Sequence, residues 1–435
     1  MEGKAETMIR RDARNSGWWG TIILITALSG FYVLTGYAVR EKRADAGEWL
    51  DPDNFARISR NLCQRHEFSE IPGRPTVSRG PAYPGALALP CLATGGDPVR
   101  FAPVVNGICH MATLGILCLH PLLWRRRVRH LALLFVGLDP LLLNYAGRTY
   151  LEPMLILTVG ATIIGIDRLA RIPNASNMAI LGVAWGLSLL VKPILLYLGL
   201  FLVPCMFLFR RRCTKYSLGA SLLALVIIAP WSIRNMGVAG QFIPVSSGSW
   251  EIVLKGDTFS EAIFKKDGII ALEEMAMDRL SEIDRQYGIQ DLPEENREPY
   301  YRKVALDRIR SSPWTFARKL ATQAVSFWFL GGYRQNTLMF VALQLPLLCL
   351  MPLAFIYILR EHEGTCISIG LMSCYMVVVH VASLSIARYS MPLRPWLVSI
   401  AVVFLCFRVA RWKGSRRSAK AGRTFPVPGM SATWP

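Results

Sequence analysis

A chain of 435 residues that is 52% hydrophobic and 18% charged is too apolar to be two or three water-soluble domains, and lipid is the solvent this composition fits. The net charge of +19 does not mark a nucleic-acid binder, because no polar segment combines basic clusters with interleaved aromatic residues. The ten cysteines are scattered, with no CxxC and no Cys/His spacing for zinc, and read as small apolar fillers.

A helix needs about 20 apolar residues to cross roughly 30 Å of hydrocarbon. The first stretch of that length, Trp18 to Val39, follows a basic tail of residues 1–17 and opens on paired tryptophans that suit an interface. No small-residue cleavage site follows it, so a retained anchor is expected.

Next comes DPDNFARISRNLCQRHEFSEIPGRPTVSRGPAYP, residues 51–84, with four acidic residues and five arginines. Phe55, Ile58 and Leu62 recur at helical spacing, which predicts an amphipathic helix from about Asp53 to Cys63. The apolar run Tyr83 to Ala93 is too short to span. Both are expected in the headgroup plane, making the outer loop 40–98 a roof over the membrane bundle. Asp51 and Asp53 are candidate catalytic carboxylates here. Asp53 reads equally well as a helix N-cap, whereas Asp51 precedes the helix and is freer to face a cavity. In SRGPAYP the prolines stiffen the return to lipid, and Arg79 and Tyr83 are candidates for the same cavity; for Arg79 the plain alternative is snorkelling to headgroups.

Further spans are expected at Val99 to Trp124, Leu131 to Ala146, Tyr150 to Ile166, Met178 to Val191, Pro193 to Phe209 and Tyr216 to Trp231. With the first they form an N-terminal module of seven spans over 18–231. NYAGRTYLEP, an outer turn, offers Arg148 and Glu152, which also stand at the spacing of a helical ion pair. Lys192 interrupts an apolar stretch, and snorkelling competes evenly with a role in a site. Asn174 starts an NAS glycosylation signal but falls in an expected inner loop.

PWSIRN brings Arg234 and Asn235 to the outer end of the seventh span. The segment 232–336 begins rich in Gly, Ser and Pro and continues as charged amphipathic sequence, the pattern of a small helical cap; Leu320 to Leu330 within it is about half the length of a span and is expected at the interface or re-entrant. Three more spans, Leu338 to Leu359, Thr365 to Ile386 and Met391 to Phe407, form a module over 337–409, followed by a basic tail, 410–435. Arg388 and Tyr389 stand at an outer end of this module. Arginine there runs against the positive-inside rule, which an anionic partner would explain.

The expected fold is therefore an all-α integral membrane protein of ten spans, or eleven if Leu320 to Leu330 crosses, with interfacial helices in the first outer loop. Ten spans place both termini on one side together with RRRVRH, DRLARIPNAS, RRRCTK and REHEGT, so that 16 of the net +19 charges lie on that face. That face is expected to be cytoplasmic, in an inner (plasma) membrane. The candidate residues then gather at the opposite, outer face. Carboxylates beside cations suit group transfer from a phosphate carrier, where a base takes the acceptor's proton and cations hold the departing phosphate. A transporter of lipid-linked sugar is the rival class, but it would show repeats and charges at the midplane. A catalytically silent glycolipid-binding relative is a third reading.

DPDNFARISRNL, SRGPAYPGALAL, NYAGRTYLEP, GVAWGLSLLVKP, PWSIRNMGVAGQFIPVSSGSWEIVLKGD, RIRSSPWTFARKL and ARYSMPLRP, in this order, resemble the C-type glycosyltransferase superfamily. The likeness is to bacterial members similar to protein O-mannosyltransferases and lipid A aminoarabinose transferases. It implies a donor sugar on a polyprenyl phosphate, handled at the outer face, and an acceptor lipid, glycan or protein. It also implies a catalytic base at Asp51, with Phe55 in the family's aromatic place and Asp53 as a substitute acid. Glu152 matches the acid of the second outer loop, and Arg79 to Pro84 match the family's RxPxYP. Lys192 stands where an arginine is usual, and Arg234, Asn235, Arg388 and Tyr389 match elements that would contact the donor phosphate. No cofactor is required by the resemblance; it leaves room for a divalent metal, which nothing in the sequence demands.

Overall fold

The computed structural model describes residues 17–45, 51, 53–262, 269–331, 334–361 and 363–420. Residues 1–16 and 421–435, most of the two expected tails, lie outside the described residues. The chain is a helical membrane protein, with one two-stranded hairpin among the described residues. In order come α1 (Gly17–Asp45), α2 (Phe55–Arg65), β1 (Ser69–Ile71), β2 (Arg74–Pro75), α3 (Ala82–Thr94), α4 (Pro98–Cys118), α5 (Arg126–Gly137), α6 (Pro140–Leu143) and α7 (Glu152–Arg171). Then follow α8 (Ala175–Val191), α9 (Leu198–Phe209), α10 (Thr214–Ala239), α11 (Ser249–Ala262), α12 (Ile269–Tyr287), α13 (Glu294–Ser311) and α14 (Pro313–Phe329). α15 (Arg334–Glu361), α16 (Glu363–Ala382), a 3₁₀ turn (Ala387–Leu393) and α17 (Arg394–Lys420) are the last described elements.

Among the described residues, seven helices are long and apolar enough to cross a membrane: α1, α4, α7, α10, α15, α16 and the 3₁₀ turn continued by α17. The other three expected spans are shorter for local reasons. The stretch 131–146 breaks where Asp139 accepts from Leu141 N and Pro140 has no N–H to continue α5. α8 stops at Lys192, which is held extended before Pro193, and α9 is only 12 residues with Pro204 inside it. The stretch 320–330 lies in α14, which packs between the cap and the bundle.

Close packing of α8 on α10 comes from Gly182 and Gly186. They lie one turn apart on one face, where a Cβ would collide with Leu223 and Ile227. In lipid such van der Waals contact replaces the hydrophobic drive.

The segment 53–98, expected in the first outer loop, is a small built unit. α2 and α3 meet through Ser59 Oγ, which donates to Pro84 O at 2.9 Å, and through the edge-on rings of Phe55 and Tyr83 at 5.3 Å. A Cys63–Cys91 disulfide closes their far ends, which corrects the reading of all ten cysteines as fillers. Their spacing of 28 residues carries no motif, and only the side-by-side packing of α2 and α3, N-terminus by N-terminus, brings them together.

The segment that begins at residue 232 is clasped to this unit by PWSIRN. Arg234 donates to Thr76 O (2.6 Å) and Phe68 O (3.1 Å) on either side of the hairpin, with its guanidinium against the Phe68 and Trp231 rings. Asn235 Nδ2 donates to Ile243 O and Val245 O, and Trp231 Nε1 to Val245 O. α11, α12 and α13 then form the expected cap, with its own core of Leu254, Leu280, Ile283, Ile289, Tyr301 and Ala305. It docks on α14 through the buried Lys319, 2.8 Å from Asp257 and donating to Val253 O.

Candidate functional site

The DPDNF turn sets the site's geometry. Asn54 N donates to Asp51 O, and Asn54 sits at φ 60°, a left-handed conformation that asparagine tolerates. This reversal brings the Asp51 carboxylate to the N-terminus of α2. Both its oxygens accept from Ala56 N (3.1 and 3.0 Å), and Oδ2 also accepts from Arg57 N (3.1 Å). Burial pushes the Asp51 carboxyl up from its ordinary value; the N–H donors of α2 oppose that shift, and the nearby Asp53 adds to it. Asp53 turns the other way, with Oδ2 3.4 Å from Arg388 Nη1. The two aspartates thus stand opposite to expectation: Asp51 caps the helix, and Asp53 faces the other candidates.

Arg388 enters at the start of the 3₁₀ turn, fixed there by Ala387 N donating to Leu330 O. Its Nε lies 3.2 Å from Glu152 Oε1, close enough for an ion pair but without hydrogen-bond alignment. Glu152, the first residue of α7, is buried, and its Oε2 has no hydrogen-bond partner among the described residues. Aromatic rings extend the cluster. Arg388 lies over Tyr150 and Tyr389 at 5.0 and 5.6 Å, and Lys192 Nζ lies 4.1 Å from the Tyr389 centroid. Arg148 packs on Tyr150 and donates to its hydroxyl at 3.3 Å. Arg79 reaches the same turn, its Nε donating to Asp53 O at 3.1 Å.

Asp53, Glu152, Arg79, Arg148, Lys192, Arg388 and Tyr389 therefore form one constellation, drawn from five segments. Two carboxylates face four cations, and the surplus positive charge suits a phosphate. Among the described residues Lys192 has no carboxylate within ion-pair distance. Gly80 holds two of these segments together. A Cβ there would strike Leu190 O, so only glycine lets SRGPAYP lie against the end of α8 beside Lys192.

Three candidates lie elsewhere. Arg234 and Asn235 direct their donors to outer-loop carbonyls, as described above. Tyr83 is in the core, and its hydroxyl donates to Asn106 Oδ1 at 3.0 Å. Asn106 is a residue that sequence reasoning missed. From the middle of α4 its Nδ2 donates to the carbonyls of Tyr145, Ala146 and Arg148, fixing the turn that carries Arg148 and leads into Glu152. A lone asparagine in the apolar run FAPVVNGIC was the available signal. Tyr150, which joins Arg148 to Arg388, was the other omission.

No protein-family model matches the chain, and no curated protein does. Among solved structures it is similar to ArnT from Cupriavidus metallidurans bound to undecaprenyl phosphate, at 17% identity and a TM-score of 0.40, over 88% of this chain and 79% of that one. The same protein in the apo state is similar over 85% and 78%, at the same identity and score. A likeness this distant assigns neither an activity nor a role to any residue.

Proposed function

We propose that this protein is an integral-membrane glycosyltransferase. It moves a sugar, with inversion, from a polyprenyl-phosphate donor to a hydroxyl of an acceptor lipid, glycan or protein at the outer face of the inner membrane. The observation that carries this reading is the convergence of Asp53 and Glu152 on Arg388, with Lys192 across the Tyr389 ring. The order of sequence motifs supplies the donor class.

The chemistry is a single displacement. The acceptor oxygen bonds to the anomeric carbon, the carbon–oxygen bond to phosphate breaks with its electron pair leaving on the phosphate, and a carboxylate takes the acceptor's proton. Asp53 fits the base role best. Its side chain is 26% exposed and Glu152's is 3%, so Asp53 is open to an acceptor and Glu152 is not. Asp51 is occupied by the N-terminus of α2. Lys192, Arg79 and Arg388 would stabilise the leaving phosphate. One cation about 4 Å away contributes up to roughly 4 kcal/mol at an effective dielectric of 20, about a thousandfold in rate.

The Cys63–Cys91 disulfide supports placing this loop on an oxidising, outer face. The transporter reading is less favoured, because the constellation sits at helix ends beside the outer loops rather than at mid-bundle. Mass spectrometry of glycolipids, surface glycans and proteins from cells with and without the protein tests the reading. One glycosyl unit missing in its absence is the expected result, and identical profiles would reject it.

A further inference from the structure

α10 is a 26-residue helix with Arg234 near one end and Thr214 at the other, about 30 Å apart at 1.5 Å per residue. Arg234 touches the outer loops, so Thr214 lies at the end of the bundle away from the candidate site. There the chain turns from α9 into α10 through the 3₁₀ residues Arg211–Cys213 and leaves an open groove of about 720 Å³. Arg211, Arg212 and Lys215 line its rim, Val203, Phe207 and Leu218 its apolar wall, and no acidic residue takes part.

Three features make this a built site. First, Arg211 and Lys215 are held over the rings of Phe207 and Tyr216, each at 4.9 Å, which fixes cations beside the apolar wall. Second, among the described residues none of the three rim cations has an ion-pair partner. Third, Thr214 lines the groove at the start of α10, and its buried Oγ1 has no hydrogen-bond partner among the described residues. Above the rim, exposed Leu218, Leu222, Leu225 and Val226 run up α10 as an apolar track. Cations and a hydroxyl at the mouth, with an apolar track leading into the bilayer, match an anionic headgroup joined to acyl chains.

We infer that this groove binds an anionic phospholipid, its phosphate held by Arg211, Arg212, Lys215 and Thr214 and its acyl chains lying along α9 and α10. The charge and shape both select this occupant, because a free phosphate has no use for the apolar track and a zwitterionic lipid brings no net charge. The inference does not depend on the reaction at the other end.

Native mass spectrometry of the full-length protein in detergent, titrated with phosphatidylglycerol or phosphatidylcholine, tests it. Wild type should retain phosphatidylglycerol in preference. Replacing three cations (Arg211→Gln, Arg212→Gln, Lys215→Gln) should weaken that retention on the order of a hundredfold. Val203→Trp, which fills the groove and leaves the charge intact, should also lower it. As a charge-matched control, Arg125→Gln, Arg126→Gln and Arg127→Gln on the α5 turn should leave it unchanged. Equal retention of the two lipids would overturn the inference. So would loss as large in the control as in the groove variant, or full retention in Val203→Trp with thermal unfolding like wild type.

Discussion

Asp51 and Asp53 stand two positions apart, and their carboxylates face different surroundings. Asp53→Asn is expected to lower sugar transfer about 10²–10⁴-fold, the range for loss of a general base, while the protein stays folded. Asp51→Asn keeps an acceptor for the N–H groups of Ala56 and Arg57 and removes a buried charge, so it should retain transfer. Its stability should depend on pH in a defined sense. Burial raises the folded carboxyl above its ordinary 3.8, so in wild type the folded state binds the extra proton, and stability falls as pH rises through that interval. Asp51→Asn should therefore unfold no earlier than wild type at pH 7, with any advantage vanishing below about pH 3.8; thermal unfolding across pH reads this. Lys192→Met should lower transfer by about two to three decades, with unfolding temperature little changed, because its ammonium touches a ring and no carboxylate. The charged residues of this site were legible as interruptions of apolar sequence. Which aspartate faces Arg388 was not, because the left-handed turn at Asn54 decides it, and no spacing rule registers that.

At the level of elements, the roof over the site is fixed by two devices that the sequence pattern did not announce. The Cys63–Cys91 bond closes a 28-residue separation, for which chain entropy gives about 3–4 kcal/mol. Cys63→Ser with Cys91→Ser should lower the unfolding temperature, and reductant should do the same to wild type but not to the double variant. Asn106 ties α4 to the Tyr145–Arg148 turn and to Tyr83. Asn106→Leu leaves a buried hydroxyl and up to three carbonyls without this partner, a loss of about 1–3 kcal/mol for each group left unsatisfied. It should depress both unfolding temperature and transfer, although Asn106 itself is placed to touch no substrate. Hydropathy identified the seven long helices and the amphipathic α2 well, because each shows a continuous apolar run or a helical stripe. It did not register where proline and a capping carboxylate divide an apolar run into shorter helices, as at Asp139–Pro140. PWSIRN shows the converse. Its charged and polar residues looked like ligands for phosphate, and the structure uses them as a clasp between loops.

Across the whole molecule, polar chemistry divides between two ends of an apolar bundle. One end joins the roof, the cap and the Asp53–Arg388–Glu152 constellation; the other carries the basic connections and the groove beside α10. This division explains how a net charge of +19 coexists with a compact site that needs both signs of charge. By sequence, 16 of the net +19 charges fall in the terminal segments and the four basic connections, and only six charged residues form the constellation. The most direct test of the central claim uses purified protein in liposomes, supplied with a synthetic polyprenyl-phosphate sugar and glycolipid acceptors. The account predicts one polyprenyl phosphate released for each sugar transferred with inverted anomeric configuration, and loss of that turnover in folded Asp53→Asn. Turnover undiminished in both Asp53→Asn and Glu152→Gln, or transfer with retained configuration, would contradict it.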